Sequence, residues 1–390
     1  MVATRRNGHR CSPLHVAGFA LQLLLVVGCE REVPPTQHAS ASSVVRRLDA
    51  DVGTWNYVLQ TSEDERQVLA YLYDPLIAFD QNLEPVPGIA ARWEIADGGR
   101  TYILHLDPRA TFSDGSPVTA QDVLFTLTKI LDAPSPQFAS WFEHLSRAET
   151  KVVDPRTIRV VFSKARAGQL LAFSIGVLPE HVYGRGTFAA IQDVVGNGPY
   201  RLLRHERGRS VHLERRADYW RTPPSITSVV FRVVADDKVA WNALLRGELD
   251  VARVSNDIWF RERGRKEVRE KLRFVDAWLL SYNCFAWNLS DPLFRDVRVR
   301  RAMALSFDRR TVIATLLHGQ ARPVTGPFTP DEWANDPAVP AIPYDPAQAS
   351  TLLTDAGWRD SDGDGTLDRA GRPFVFTMLI PVGTVARSQA

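Results

Sequence analysis

Phe112-Ser113-Asp114-Gly115-Ser116-Pro117-Val118-Thr119-Ala120-Gln121-Asp122-Val123 is a tight turn running straight into a capped helix. Ser, Asp, Gly and Pro together over Ser113–Pro117 are residues that reverse a chain. Thr119 then offers a hydroxyl cap and Asp122 an acid at the third helical position. Val123, Leu124, Leu127 and Leu131 follow at spacings of three and four, which predicts an amphipathic helix. Upstream, Thr101–Leu106 is a β-rich strand candidate. Downstream, Lys151–Phe162 reads as two short strands around an Asp-Pro turn. Strand and helix keep alternating, so the fold class is α/β, and with no repeat of 20–50 residues the solenoids and propellers are excluded.

The same alternation extends outward. Val44–Leu48 predicts a strand, Asp49–Gln60 a loop, and Ser62-Glu63-Asp64-Glu65 has capping-box spacing ahead of a helix that buries Val68, Leu69, Leu72 and Tyr73. Pro75 ends that helix. The acids at 63–65 fit a first helical turn, where they meet the positive end of the dipole, better than a metal or catalytic cluster. Gly196-Asn197-Gly198-Pro199-Tyr200 is the strongest break mid-chain and predicts a sharp reversal before the strand Tyr200–Leu203. Ser210–Arg215 and Ser228–Val234 are further strands, Asp236–Leu245 a helix, and Val251 the start of another strand. Arg261–Arg273 holds seven basic residues among three glutamates, the composition of a solvated helix with mixed charge pairs. Asp296–His318 predicts two helices broken near Phe307-Asp308, with Val299, Met303, Val312, Leu316 and Leu317 turned inward.

At the N-terminus, Arg5, Arg6 and Arg10 precede the apolar stretch Val16–Gly28, and Cys29 follows at once. Basic, apolar, then small is the order of a secretory signal, and 13 residues fall short of the roughly 20 that cross a bilayer. A small residue before a cysteine resembles the lipobox of bacterial lipoproteins. The expectation is a signal at 1–28, lipidation at Cys29, and a flexible polar tether over 29–43. Of the three cysteines, at 11, 29 and 284, only Cys284 then remains free, with burial as a small apolar residue its expected role. The formal charge is +2, and without the first 28 residues there are 44 basic and 45 acidic side chains. Near neutrality excludes the strongly basic composition of a nucleic-acid partner.

Catalysis finds little support. The nine histidines contain no i, i+4 pair, there is no GxSxG elbow and no phosphate-binding GxxxxGK[ST] loop, and Gly196-Asn197-Gly198 lacks the third glycine of a dinucleotide loop. No cofactor is expected. Asp360, Asp362, Asp364 and Asp368 stand at positions 1, 3, 5 and 9 of a calcium-type loop with Gly365 at 6, but position 12 is Gly371 where a bidentate glutamate belongs. A tight Asp/Gly turn leading into a hairpin, with a strand over Pro373–Ile380, explains the same residues. Weak calcium binding is the alternative.

Taken together, several segments resemble the extracellular solute-binding proteins of family 5, the oligopeptide-type receptors of ABC importers. The matching stretches are Tyr73-Asp74-Pro75-Leu76, Pro87-Gly88-Ile89-Ala90 with Trp93, the Phe112–Val123 stretch, and Leu178-Pro179-Glu180-His181-Val182-Tyr183. Gly196-Asn197-Gly198-Pro199-Tyr200-Arg201, Gly247-Glu248-Leu249-Asp250-Val251, Asp296–Ala302 and Ala356-Gly357-Trp358 follow in the family's order.

The resemblance implies a periplasmic-binding-protein-like type II fold: two hinged α/β lobes with an α+β domain inserted in the first. Lobe I would take 44–84 and 195–275, the inserted domain 85–194, and lobe II 276–390. It implies a monomeric, non-enzymatic receptor that captures a peptide or similar small solute outside the cytoplasmic membrane and passes it to ABC permease subunits. Relatives bind peptides, sugars, opines and metal chelates. Two segments match ligand-facing ones: Gln60, Thr61 and Ser62 through their main chain, and Tyr282, Asn283, Phe285 and Trp287 through aromatic pockets, both of which could equally be lobe packing. Trp55 stands where the family usually has leucine and would line or plug the cleft. Family members continue well beyond Pro381–Thr384, so lobe II is expected to be incomplete, with an unpaired edge near Phe374–Ile380. The acidic motif that holds a peptide's amino terminus has no match here. A non-transporting lipoprotein with a partner-binding surface is the alternative function.

Overall fold

In the computed structural model, which describes residues 2–5, 43–80, 82–132, 136–185, 194–275, 282–332 and 335–379, Ser43–Leu48 is the strand on which the first sheet is built. Val251–Arg253 and Ser228–Val233 pair with it in parallel on either side. Ser210–Arg215 joins Ser228–Val233 antiparallel, and Tyr200–Glu206 joins Ser210–Arg215 in turn. Val211, Leu213, Val229 and Phe231 alternate with more exposed neighbours and are buried, the period-2 pattern of a sheet with one covered face. The helix Glu63–Leu72 buries the expected Val68, Leu69 and Leu72, with Tyr73 at its C-cap.

A second, antiparallel sheet has the order Ala90–Ala96, Thr101–Leu106, Thr157–Val161, Lys151–Asp154. The helix Ala120–Asp132 buries Val123, Phe125, Leu127 and Ile130, and the Asp122 carboxylate accepts from both the N–H and the hydroxyl of Thr119. Both sheets contribute to one continuous apolar core, which includes Phe112, Phe142, Phe162, Phe173 and Phe231.

Arg216 crosses this core almost fully buried. Its guanidinium donates to the carbonyls of Thr111, Phe112 and Gly198 at 3.1, 2.8 and 3.3 Å and pairs with Asp218 at 3.2 Å. Every one of those partners is needed, because an unpaired buried charge costs several kcal/mol. The chain bends over 197–199 ahead of the strand at Tyr200, and Gly196 and Gly198 have a second reason beyond the expected turn. A Cβ at Gly196 would stand 2.0 Å from the Leu72 carbonyl oxygen and one at Gly198 2.6 Å from the Leu72 carbonyl carbon, so both glycines serve close approach of two backbones. Gly198 N–H accordingly donates to the Leu72 carbonyl at 2.8 Å.

Ala3–Arg253 is one compact unit, and Val254–Ala390 makes up the body of the other. In the second, Val297–Leu305 and Pro346–Asp355 pack through Ala302, Leu305 and Ala349, while Phe294, Val299, Ala356 and Trp358 form a separate cluster. The break near Phe307-Asp308 falls as expected, with Asp308 capping Arg309–Thr315. Met303, Val312, Leu316 and Leu317 are only half-buried there. The strand expected over Pro373–Ile380 is largely absent. Only Arg372–Pro373 pairs, with Asp368–Arg369, and 374–379 forms no ladder although Phe374 and Phe376 still alternate inward. An extended segment becomes a strand only beside a partner, and among the described residues none lies along it. Of the expected signal only Val2–Arg5 is described, as a short strand. Cys29 and the tether up to residue 42 lie outside the described residues.

Candidate functional site

The loop Asp49–Ser62 connects the first strand to the first helix, and three carboxylates hold it. Glu65, 5% exposed, accepts through one oxygen from the N–H groups of Gly53 and Thr54, both at 3.1 Å. Its other oxygen accepts from Thr61 and Ser62 at 2.8 and 3.0 Å. Burial opposes ionisation, but these backbone donors outweigh it and keep the Glu65 carboxyl below its ordinary range. Asp64 accepts from the Asp49 and Ala50 N–H groups. Asp51 accepts from Gly208 N–H at 2.7 Å and meets the His205 ring at 2.8 Å. Burial raises its carboxyl, and those bonds together bring it below the usual value.

Within this frame the expected Gln60, Thr61 and Ser62 take different roles. Ser62 caps the helix as the capping box requires, accepting from Glu65 N–H at 3.1 Å. Thr61 is exposed, but its N–H, like that of Ser62, is directed at Glu65. Gln60 is 2% exposed, and its Oε1 has no hydrogen-bond partner. Trp55 lies edge-on to His205 at 5.1 Å, and its carbonyl accepts from the Tyr73 hydroxyl at 3.5 Å. Tyr57 stacks on Phe138 at 5.6 Å, tying the loop into the core shared with the second sheet. Nearby, burial raises the Asp74 carboxyl even though the Tyr219 hydroxyl donates to it at 2.7 Å.

The second expected set belongs to the other compact unit. Tyr282 and Phe285 are 44% and 40% exposed and Asn283 is exposed as well. Trp287 is half-buried and stacks on Phe294 at 4.8 Å, with Phe376 edge-on at 6.3 Å, so it packs its own unit. Phe285 meets Phe307 edge-on at 5.1 Å. Cys284 corrects the expectation of burial: it is exposed, on the irregular segment 282–286 whose residues are all exposed.

The acidic loop folds as the Asp/Gly turn. The Asp360 carboxylate accepts from Gly363 and Gly365 N–H groups, Asp362 from Asp364, and Asp364 from Thr366. Asp368 sits apart, bonded to the hydroxyl and N–H of Ser361, which hold its carboxyl below the usual range. Asp360, Asp362 and Asp364 bring exposed carboxylate oxygens within 4.8 Å of one another, the geometry in which a hard cation could sit.

This mixed α/β architecture with several sheets is that of the type II periplasmic binding proteins. Residues 84–390 match the bacterial extracellular solute-binding proteins, family 5 Middle, and the chain belongs to that family. It is 26% identical over 343 residues to the oligopeptide-binding protein AppA of Bacillus subtilis, covering 85% of this chain and 62% of the relative. The structure of AppA in complex with a nonapeptide superposes with a TM-score of 0.74 at 25% identity, covering 85% of this chain and 67% of AppA. NikZ of Campylobacter jejuni in complex with Ni(L-His) shares the fold, with a TM-score of 0.71 at 21% identity over 85% of this chain and 66% of NikZ. The chain thus spans about 62% of AppA's curated length. Among the described residues no helix is long and apolar enough to cross a membrane.

Sequence reasoning found the capping-box role of Glu65 but missed that its carboxylate also reaches back to Gly53 and Thr54. A glycine twelve positions ahead of an N3 glutamate is the only trace of that contact in the sequence. Asp64 and Asp51 were likewise unmarked as loop anchors.

Proposed function

We propose that this chain serves as the solute receptor of an ABC importer, capturing a peptide or similar small solute outside the cytoplasmic membrane and delivering it to permease subunits. The observation that carries this reading is the family 5 match over 84–390, together with the likeness to a protein solved around a nonapeptide. In this reading the role is capture without catalysis, lobe I takes 44–84 and 195–275, the inserted domain 85–194 and lobe II 276–390. Gln60–Ser62 and the exposed Tyr282, Asn283 and Phe285 offer solute contacts, and closure about a hinge is driven by contacts made in the closed state alone. Trp287 contributes by fixing the segment that carries them. A leader over 1–28 would be removed on export, and lipid on Cys29 would then hold the receptor, a monomer, at the membrane.

A pool of di- to pentapeptides tests the central claim. A hundredfold excess over the dissociation constant stabilises a true receptor by about 2.7 kcal/mol, read as a rise in Tm. No rise with the pool or with Ni(L-His) turns the reading toward a partner-binding lipoprotein. Mass spectrometry of the membrane fraction tests the anchor, which requires a peptide beginning at an acylated Cys29.

A further inference from the structure

We propose that Glu65 is the positioning residue for the Gly53–Ser62 loop: its carboxylate presets the main chain of the segment that meets the solute. Four backbone N–H groups from both ends of a ten-residue loop converge on one buried carboxylate, two on each oxygen, at 2.8–3.1 Å. A helix cap needs only the Ser62 exchange. The bonds to Gly53 and Thr54 add nothing to the helix and serve to draw the loop's entry against its exit. Gly53 is shaped for that contact, since a Cβ there would stand 3.0 Å from the Glu65 oxygen. The loop so closed carries Trp55, Tyr57 and the buried, unpartnered Gln60 oxygen. Ordering these groups before a solute arrives removes an entropic cost from binding. A glutamine in place of Glu65 has one acceptor oxygen for four donors, and an aspartate is one methylene short.

The inference rests on the receptor reading only for its consequence, and two measurements separate them. Amide hydrogen exchange resolved at single residues should show Gly53, Thr54, Thr61 and Ser62 protected in the wild type. Exchange at all four should speed at least tenfold in Glu65→Gln, while the Ala120–Asp132 helix is unchanged. Equal protection in both proteins overturns the proposal. The second measurement titrates tri-alanine. Glu65→Gln should weaken binding at least tenfold and Gly53→Ala about threefold. Leu127→Ala, buried under the second sheet and lowering the urea midpoint at least as far, should leave affinity within twofold. A loss of affinity that merely follows the urea midpoint across all three variants also overturns it. Should wild type ignore tri-alanine, that counts against this probe as the receptor's solute, and exchange alone decides the role of Glu65.

Discussion

The units Ala3–Arg253 and Val254–Ala390 cover their apolar surface to different degrees. The first joins two sheets through one core in which Phe112, Phe142, Phe162, Phe173 and Phe231 are fully buried, and even its buried guanidinium is saturated. Among the described residues, the second, with little more than half as many residues, forms the small clusters around Phe294 and Ala302 and separately buries Ile258, Trp259, Val268 and Leu272. It leaves Phe260, Tyr282, Phe285, Phe328, Val375 and Leu379 exposed, Leu379 at 92%. Buried area sets stability, so the two should respond differently to the same kind of insult.

The largest test is Phe162→Ala. Phe162 touches Tyr102, Phe142 and Phe173, and its removal should cost about 4 kcal/mol in the more urea-resistant of two transitions. A single transition that moves as a whole would break the comparison. Next comes Glu65→Gln, which should cost the same transition about 2–3 kcal/mol by leaving charge-assisted bonds unmade. Its pH dependence follows from the lowered carboxyl. The stabilisation is fully present above the ordinary glutamate value of 4.5 and is lost as pH falls through the lower folded value. Wild type and variant should therefore converge in acid urea titrations. Trp287→Ala should cost about 2 kcal/mol in the weaker transition alone, since the ring is only half-buried against Phe294. A shift of the stronger transition would blur the division. Smallest, Asp74→Asn should raise stability slightly at neutral pH, read as a small rise in the urea midpoint. With its carboxyl raised by burial, Asp74 favours the fold below its ordinary value of 3.8 and loses that contribution as pH rises through the raised one. The advantage of the variant should vanish near pH 3.

What the sequence revealed divides along the range of the interaction. Turn chemistry at Ser113–Pro117, the caps at Ser62 and Thr119, the helix break near Phe307-Asp308 and the strand beginning at Ser228 are local, and each appears in place. Gly196 and Gly198 were marked, but their reason, the Leu72 backbone over 120 positions away, is invisible in a string of letters. Phe374–Leu379 has a strand's pattern and, among the described residues, lacks a neighbour, because propensity supplies no ladder. At the candidate site the cap glutamate was legible while its grip on Gly53 and Thr54 depended on how the loop curls.

Arg216 carries a consequence for anyone who would shuffle parts between such proteins. Its sockets at Thr111 and Phe112 belong to the stretch 85–194, and those at Gly198 and Asp218 belong to the chain that resumes afterwards. A chimaera that transplants 85–194 into a host lacking this arginine would take the guanidinium donor from the Thr111 carbonyl and leave Phe112 with the Gly115 N–H alone. A host keeping the arginine but receiving a foreign stretch there would leave the guanidinium with only Gly198 and Asp218 as partners. The stretch 85–194 and its arginine rivet are best moved as a pair.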